Sequence, residues 1–354
     1  MGDEELLHPQ FRVLQDILRA RAVPPADPVN QTITVARAAA ERYGSIWNAE
    51  KPAVALVLER TIPGPVGVIR VRFYVPESRQ VEAPVILYFH GGGYALNSVD
   101  THDRLLRKLT QESGAVVVAP FYSRAPEHRF PIQIYEAQAV INWLRAEGRS
   151  LGVDGSRFAL AGDSAGAHLA LTTALSLPPH VRRDLKGLAL LYGMYGYDFS
   201  TPSYRRFGDG RFGLSTERMR WYWQTFLGTD QPAPNPLALP LYAELGGLPP
   251  VHLAAAGLDV LLDDSLTLAA RLSEAGVKHS LAVYPGVPHA FAQMGHFLDA
   301  GDDAVKSSAH FLARALSPKP PPSRIADHHQ ARDLGNGAAW FSLFPSIPST
   351  ATLH

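Results

Sequence analysis

Short runs of β-branched and aliphatic residues alternate along this chain with longer segments whose apolar positions repeat at helical spacing, and this alternation constrains the fold most. The runs are 53–58, 68–75, 85–89, 115–119, 158–161, 187–192, 251–255 and 280–284, eight in all. Between them Ile134, Ala137, Ile141 and Leu144 fall three and four residues apart, as do Val305, Ala309, Leu312 and Leu316. Each set makes one apolar stripe, suited to a helix lying on a sheet. Strands joined through helices are mostly parallel, so the pattern predicts the α/β class.

Two regions interrupt the alternation. Residues 1–50 read as helices before any strand, and 195–240 is rich in aromatic residues with one helical pattern at 216–227. Both are expected to cap the sheet of a domain at 51–316, with 195–240 as an insertion in it. From 317 the chain turns to Ser-Pro-Lys-Pro-Pro-Pro-Ser and loses all periodicity, so 317–354 reads as a disordered tail.

Composition narrows the function. Thirty-three Lys and Arg balance thirty-three Asp and Glu, which gives nucleic acid or an anionic membrane no electrostatic claim on the chain. Cysteine is absent, which excludes disulfides, thiolate nucleophiles and cysteine-held metals. The acidic start Met-Gly-Asp-Glu-Glu lacks the pattern of a signal peptide, and no apolar stretch is long enough for a membrane span. A cytoplasmic protein acting on small molecules is expected. No nucleotide-binding glycine motif is present, and no cofactor is expected. The pairs His102–Asp103 and His328–His329 lack the spacing of a metal-ligand set and read as solvated surface.

Gly162-Asp163-Ser164-Ala165-Gly166 follows the run 158–161 and precedes a helical pattern. In that setting a G-x-S-x-G is a nucleophile elbow, a tight turn that lifts the serine out of the sheet. His90-Gly91-Gly92-Gly93-Tyr94 follows the run 85–89. Acyl transfer develops a negative oxygen that backbone N–H groups must meet, and glycine lets a main chain come that close. Gly92, Gly93 and Ala165 are therefore the candidate donors, with His90 and Gly91 supporting the loop.

A serine hydroxyl needs a base, and the base needs an orienting acid. On this elbow the chain order is serine, acid, histidine. Asp259 stands just past the run 251–255, and His289 follows the run 280–284. Asp263 and Asp264 compete for the role of acid but suit a helix N-terminus better. Among fourteen histidines, His289 alone holds the position after the last strand, while His168 points into the core from the helix behind the elbow. Tyr94, Asp163, Tyr195, Phe212, Trp221 and Phe291 are candidates for the substrate pocket, although core packing explains the aromatic residues equally well.

These motifs, with Ala125-Pro126-Glu127-His128, Phe130-Pro131 and His289-Ala290-Phe291, resemble the hormone-sensitive-lipase family of α/β-hydrolases, the bacterial family IV esterases. The similarity runs from about residue 5 to about 315. It implies an eight-stranded, mostly parallel sheet flanked by helices, with a helical cap. It also implies a Ser164–Asp259–His289 triad, cofactor-free hydrolysis of short-acyl carboxylic esters, and allows a homodimer. Members usually carry Asp and Arg where this chain has Phe121 and Ser123, and Asp where it has Glu136. An amidase, deacetylase or carbamate hydrolase with the same residues is the main alternative. A non-catalytic binder is the other, and the presence of His289 speaks against it.

Overall fold

The central strands are apolar on both faces, so the sheet they form must be covered on both sides. The computed structural model describes residues 6–78, 81–229 and 234–318. Its strands are β1 (Leu56–Gly64), β2 (Gly67–Val75), β3 (Ala83–Phe89), β4 (Val116–Pro120), β5 (Val153–Asp163), β6 (Leu185–Leu191), β7 (Val251–Leu258) and β8 (His279–Pro288). They form one sheet in the order β1-β2-β4-β3-β5-β6-β7-β8. The β1–β2 and β2–β4 pairs are antiparallel and every later pair is parallel.

The α/β class expected from the alternation is therefore present. The first strand lies later and runs longer than the pattern at 53–58, because it is held by pairing rather than by its own residues. It matches β2 position by position from Leu56↔Val75 to Gly64↔Gly67, so the tight turn sets its end. Pro63 is tolerated because β1 is an edge strand. β5 also starts early, at Val153, since two residues pair with β3 before a register shift at Pro84/Val85.

The helices are α1 (Pro9–Arg21), α2 (Ile33–Trp47), α3 (Asp103–Ser113), α4 (Ile132–Glu147), α5 (Ala165–Ser176), α6 (Pro179–Arg182), α7 (Pro202–Phe207), α8 (Thr216–Leu227), α9 (Leu262–Glu274) and α10 (Asp299–Leu316). Residues of α4, α5, α8 and α9 join one apolar cluster with the sheet, and residues of α1, α3 and α10 join the other. The stripes read from sequence on α4 and α10 are buried as expected. α5, behind the elbow, is buried nearly all round, which is why it shows no amphipathic pattern. The tail expected at 317–354 falls outside the described residues from 319 onward.

Candidate active site

β5 ends at Asp163, α5 begins at Ala165, and Ser164 sits alone between them. Its backbone is at φ 54°, ψ −119°, a region that costs a non-glycine residue roughly 1–3 kcal/mol. The surroundings hold it there. The Ser164 N–H donates to Leu191 O at 2.8 Å, which ties the turn to β6. A Cβ on Gly166 would run into the Phe89 carbonyl, and one on Gly162 into the Gly166 backbone, so both flanking glycines are required.

β7 and β8 extend further than their apolar runs and deliver Asp259 and His289 directly at their ends. His289 Nδ1 lies 2.6 Å from Asp259 Oδ2, and Nε2 lies 2.9 Å from Ser164 Oγ. A carboxylate can only accept, so Nδ1 carries the proton and Nε2 offers its lone pair to the serine hydroxyl. Asp259 is fully buried, and its second oxygen accepts the Leu261 N–H at 3.0 Å. This chain of hydrogen bonds can move the Ser164 proton onto an imidazole whose positive charge a carboxylate then stabilises.

The two competing acids do other work. Asp263 accepts the Ser203 N–H at 2.7 Å. Asp264 accepts the Tyr195 and Gly196 N–H groups at 2.6 and 2.9 Å. Burial, assisted by Asp259 and Asp263 and opposed by those two hydrogen bonds, pushes the Asp264 carboxyl up to about 7.

The glycine loop is braced from beneath. His90 stacks on Tyr122 at 4.3 Å between ring centroids, and its Nδ1–H donates to Gly91 O at 2.8 Å. Burial, then the neighbouring His102, holds its pKa down at about 3, so the ring is neutral. The Gly91 N–H donates to Asp163 Oδ1 at 2.9 Å. Gly92 and Gly93 adopt φ of 122° and 60°, and a Cβ on Gly93 would enter the Tyr222 ring. Both glycines line the same cavity as Ser164 and His289, a space of about 390 Å³. Its outer walls come from α1, α2 and the 210–222 segment, including Phe11, Trp47, Phe212, Leu214, Met219 and Tyr222.

Residues 86–293 match the alpha/beta hydrolase fold family. The acetyl esterase of Salmonella choleraesuis (strain SC-B67) is 34% identical over 279 residues, covering 77% of this chain and 84% of the relative. Among solved structures, the hyperthermophilic esterase from the archaeon Pyrobaculum calidifontis aligns with TM-score 0.81 at 33% identity, over 88% of this chain and 99% of that one. A thermostable esterase from Pseudomonas putida ECU1011 aligns with TM-score 0.79 at 30% identity, over 88% and 98%.

The chain belongs to the α/β-hydrolase family. Its relatives place it in the hormone-sensitive-lipase branch expected from the motifs, and it is a carboxylic ester hydrolase.

At the three positions where the resemblance expects other residues, the structure shows what each one touches. Glu136 is buried and reaches Ser123, accepting its Oγ–H at 2.6 Å and its N–H at 2.7 Å, so a longer acid meets a shorter partner. Phe121 lies under the Arg70 guanidinium, 3.7 Å from the ring centroid.

Of the residues expected to line the pocket, Phe212 and Asp163 do, and four do not. Tyr94 is fully buried, stacked on Phe226 at 3.8 Å, with its hydroxyl donating to His168 Nδ1 at 2.6 Å. Tyr195 is core and Phe291 is wedged between Tyr192 and Tyr284. Trp221 packs, as Tyr222 does, against the cluster of Ala36, Ala40, Ala95 and Leu96, but it does not line the cavity. Met219 and Tyr222, three apart, share the cavity face. Tyr43 and Trp47, four apart on α2, also line it, although in sequence their helix is marked only as cap.

The expectation for His102 and Asp103 is corrected. Both are buried: His102 Nε2 lies 3.1 Å from Asp163 Oδ1, and Asp103 is held by Tyr74 at 2.8 Å and Lys51 at 2.8 Å. An adjacent polar pair looks solvated in sequence because its partners are distant in the chain. His328 and His329 lie outside the described residues. Among the described residues no three potential metal ligands cluster, and no helix is long and apolar enough to cross a membrane.

Proposed function

We propose that this hydrolase is a serine carboxylesterase acting on short-to-medium acyl or aryl esters through an acyl-enzyme. Ser164 loses its proton to His289 and attacks the ester carbonyl. His289 then gives that proton to the departing alcohol, and water releases the acid by the same route in reverse. Asp259 holds the imidazole tautomer and stabilises the imidazolium. Gly92, Gly93 and Ala165 donate backbone N–H groups to the oxyanion.

The observation that carries this reading is the unbroken chain from Ser164 Oγ through His289 to Asp259, at 2.9 and 2.6 Å, opening onto the cavity. The cavity's about 390 Å³ lies toward the small end of ligand sites, which span roughly 300–1,000 Å³. That size and the acetyl esterase relatives support a short acyl group.

The test is hydrolysis of p-nitrophenyl esters from C2 to C12 beside the matching anilides, with wild type and Ser164→Ala. Cleavage of short esters that falls by about 10⁴–10⁶ in Ser164→Ala is expected. Turnover of the anilides without the esters would replace this reading with the amidase alternative.

A further inference from the structure

Behind Ser164 the fold buries a second histidine–aspartate pair that the ester chemistry above does not use. His102 and Asp163 are each 1% exposed. His102 lies on the short helical turn Asp100–His102 leading into α3, and Asp163 ends β5. The Asp163 carboxylate accepts the Gly91 N–H and the Tyr88 hydroxyl, both at 2.9 Å. The Gln293 side-chain amide, on the turn after His289, lies 2.9 Å from His102 Nε2 and 3.3 Å from Asp163 Oδ2. One pair therefore joins the glycine loop, the residue before the nucleophile and the segment after His289.

The protons of the pair can be counted. Nδ1 of His102 faces the Ser98 carbonyl at 3.1 Å, an atom that only accepts. It also faces Thr101 Oγ1 at 2.9 Å, whose own proton goes to the same carbonyl. Nδ1 is thus protonated. Were Nε2 bare and Asp163 ionised, a lone pair and a carboxylate would face each other at 3.1 Å in dry surroundings. Among the described residues Asp163 has no other ion-pair partner. A single proton between Nε2 and the carboxylate removes the conflict wherever it resides. The Gln293 amide nitrogen faces both groups and donates to Asp163 Oδ2 at 3.3 Å.

We propose that His102 and Asp163 are a positioning pair that shares one proton and is electrically neutral, so that the carboxylate anchors the glycine loop without opposing the oxyanion formed beside Ser164. This rests on the reading of Gly92, Gly93 and Ala165 as oxyanion donors. Bound ester is neutral and the oxyanion appears only on reaction, so an uncompensated charge at Asp163 falls on kcat and spares KM.

The experiment compares wild type, His102→Gln and the double variant His102→Gln/Asp163→Asn on p-nitrophenyl acetate at pH 8. His102→Gln is expected to lower kcat by roughly 10- to 100-fold with KM within about twofold. Adding Asp163→Asn restores most of the loss, since asparagine still accepts the Gly91 N–H but carries no charge. A double variant no better than the single one means a merely structural role and overturns the proposal. So does a His102→Gln enzyme with unchanged kcat, or one whose KM rises in step with the loss. His102→Asn gives the same comparison where the glutamine variant does not fold. Gly93→Ala, assayed alongside, separates the two readings. Unchanged kcat there removes the oxyanion reading and the proposal with it, whereas loss there beside a silent His102→Gln removes the pair alone.

Discussion

The floor and the roof of the active site are built by different physics. On the floor, Ser164, Asp259, Asp163 and the glycine loop are buried and fixed by hydrogen bonds between strands that end side by side. On the roof, α1, α2 and α8 present mostly apolar side chains to the cavity, and their polar ties lie away from it. The chief tie is Arg37, whose guanidinium grips Glu127 at 2.7 Å through both outer nitrogens and also donates to the Ala95 and Ala125 carbonyls. Chemistry needs atoms held within fractions of an ångström, which directional bonds in a dry setting supply. Substrate recognition by apolar contact tolerates more variation.

The comparison can be broken first at the floor. Asp259→Asn keeps the shape but favours the wrong tautomer of His289, and kcat should fall by about 10³–10⁴. A KM near the wild-type value in steady-state kinetics would confirm that the loss lies in the chemical step. Gly93→Ala adds a methyl group where Tyr222 stands and must leave φ 60°, so a loss of about 10²–10³ in kcat is expected. Loss in KM alone would move Gly93 to the roof.

Asp264 tests the junction of the two regions, because it anchors the start of the 195–227 segment beside Asp259. Its folded value of about 7 exceeds the ordinary carboxylate value, so the fold holds the protonated form. That stabilisation is complete below about pH 4 and is lost as pH rises through about 7, by at most about 4 kcal/mol. Asp264→Asn should flatten this part of the stability profile. Thermal unfolding between pH 4 and 8 would show equal slopes for both proteins if the buried carboxyl were not responsible.

The smallest effect is expected at the roof. Arg37→Ala cuts the tie between α2 and the 125–127 loop, and should raise KM several-fold while leaving kcat within about twofold. A kcat loss as large as that of Gly93→Ala would mean that α2 is part of the chemical machinery and that the division between floor and roof is wrong.

Most of the floor is legible in the sequence. The elbow, the glycine loop and the order of serine, acid and histidine are local patterns, and each occupies the end of a strand whose residues declare it. The choice of Asp259 over Asp263 and Asp264 follows from the same logic, since only Asp259 stands at the strand end before the helix begins. Most of the roof is hidden, because an aromatic residue reads alike in sequence whether it faces a cavity or the core. That ambiguous signal points to Phe212, which lines the cavity, but equally to Tyr94, Tyr195, Trp221 and Phe291, which do not, and gives no reason to single out Phe11, Tyr43 and Trp47, which do.

What the sequence by itself determined is therefore the strand alternation, the class of fold and which serine, histidine and aspartate meet at the strand ends, because each depends on spacing within a few positions. Only the tertiary structure decided which side chains line the cavity and that His102 is a buried partner of Asp163. Those facts depend on contacts between segments far apart in the chain, and a residue's chemistry does not state which distant neighbour it will meet.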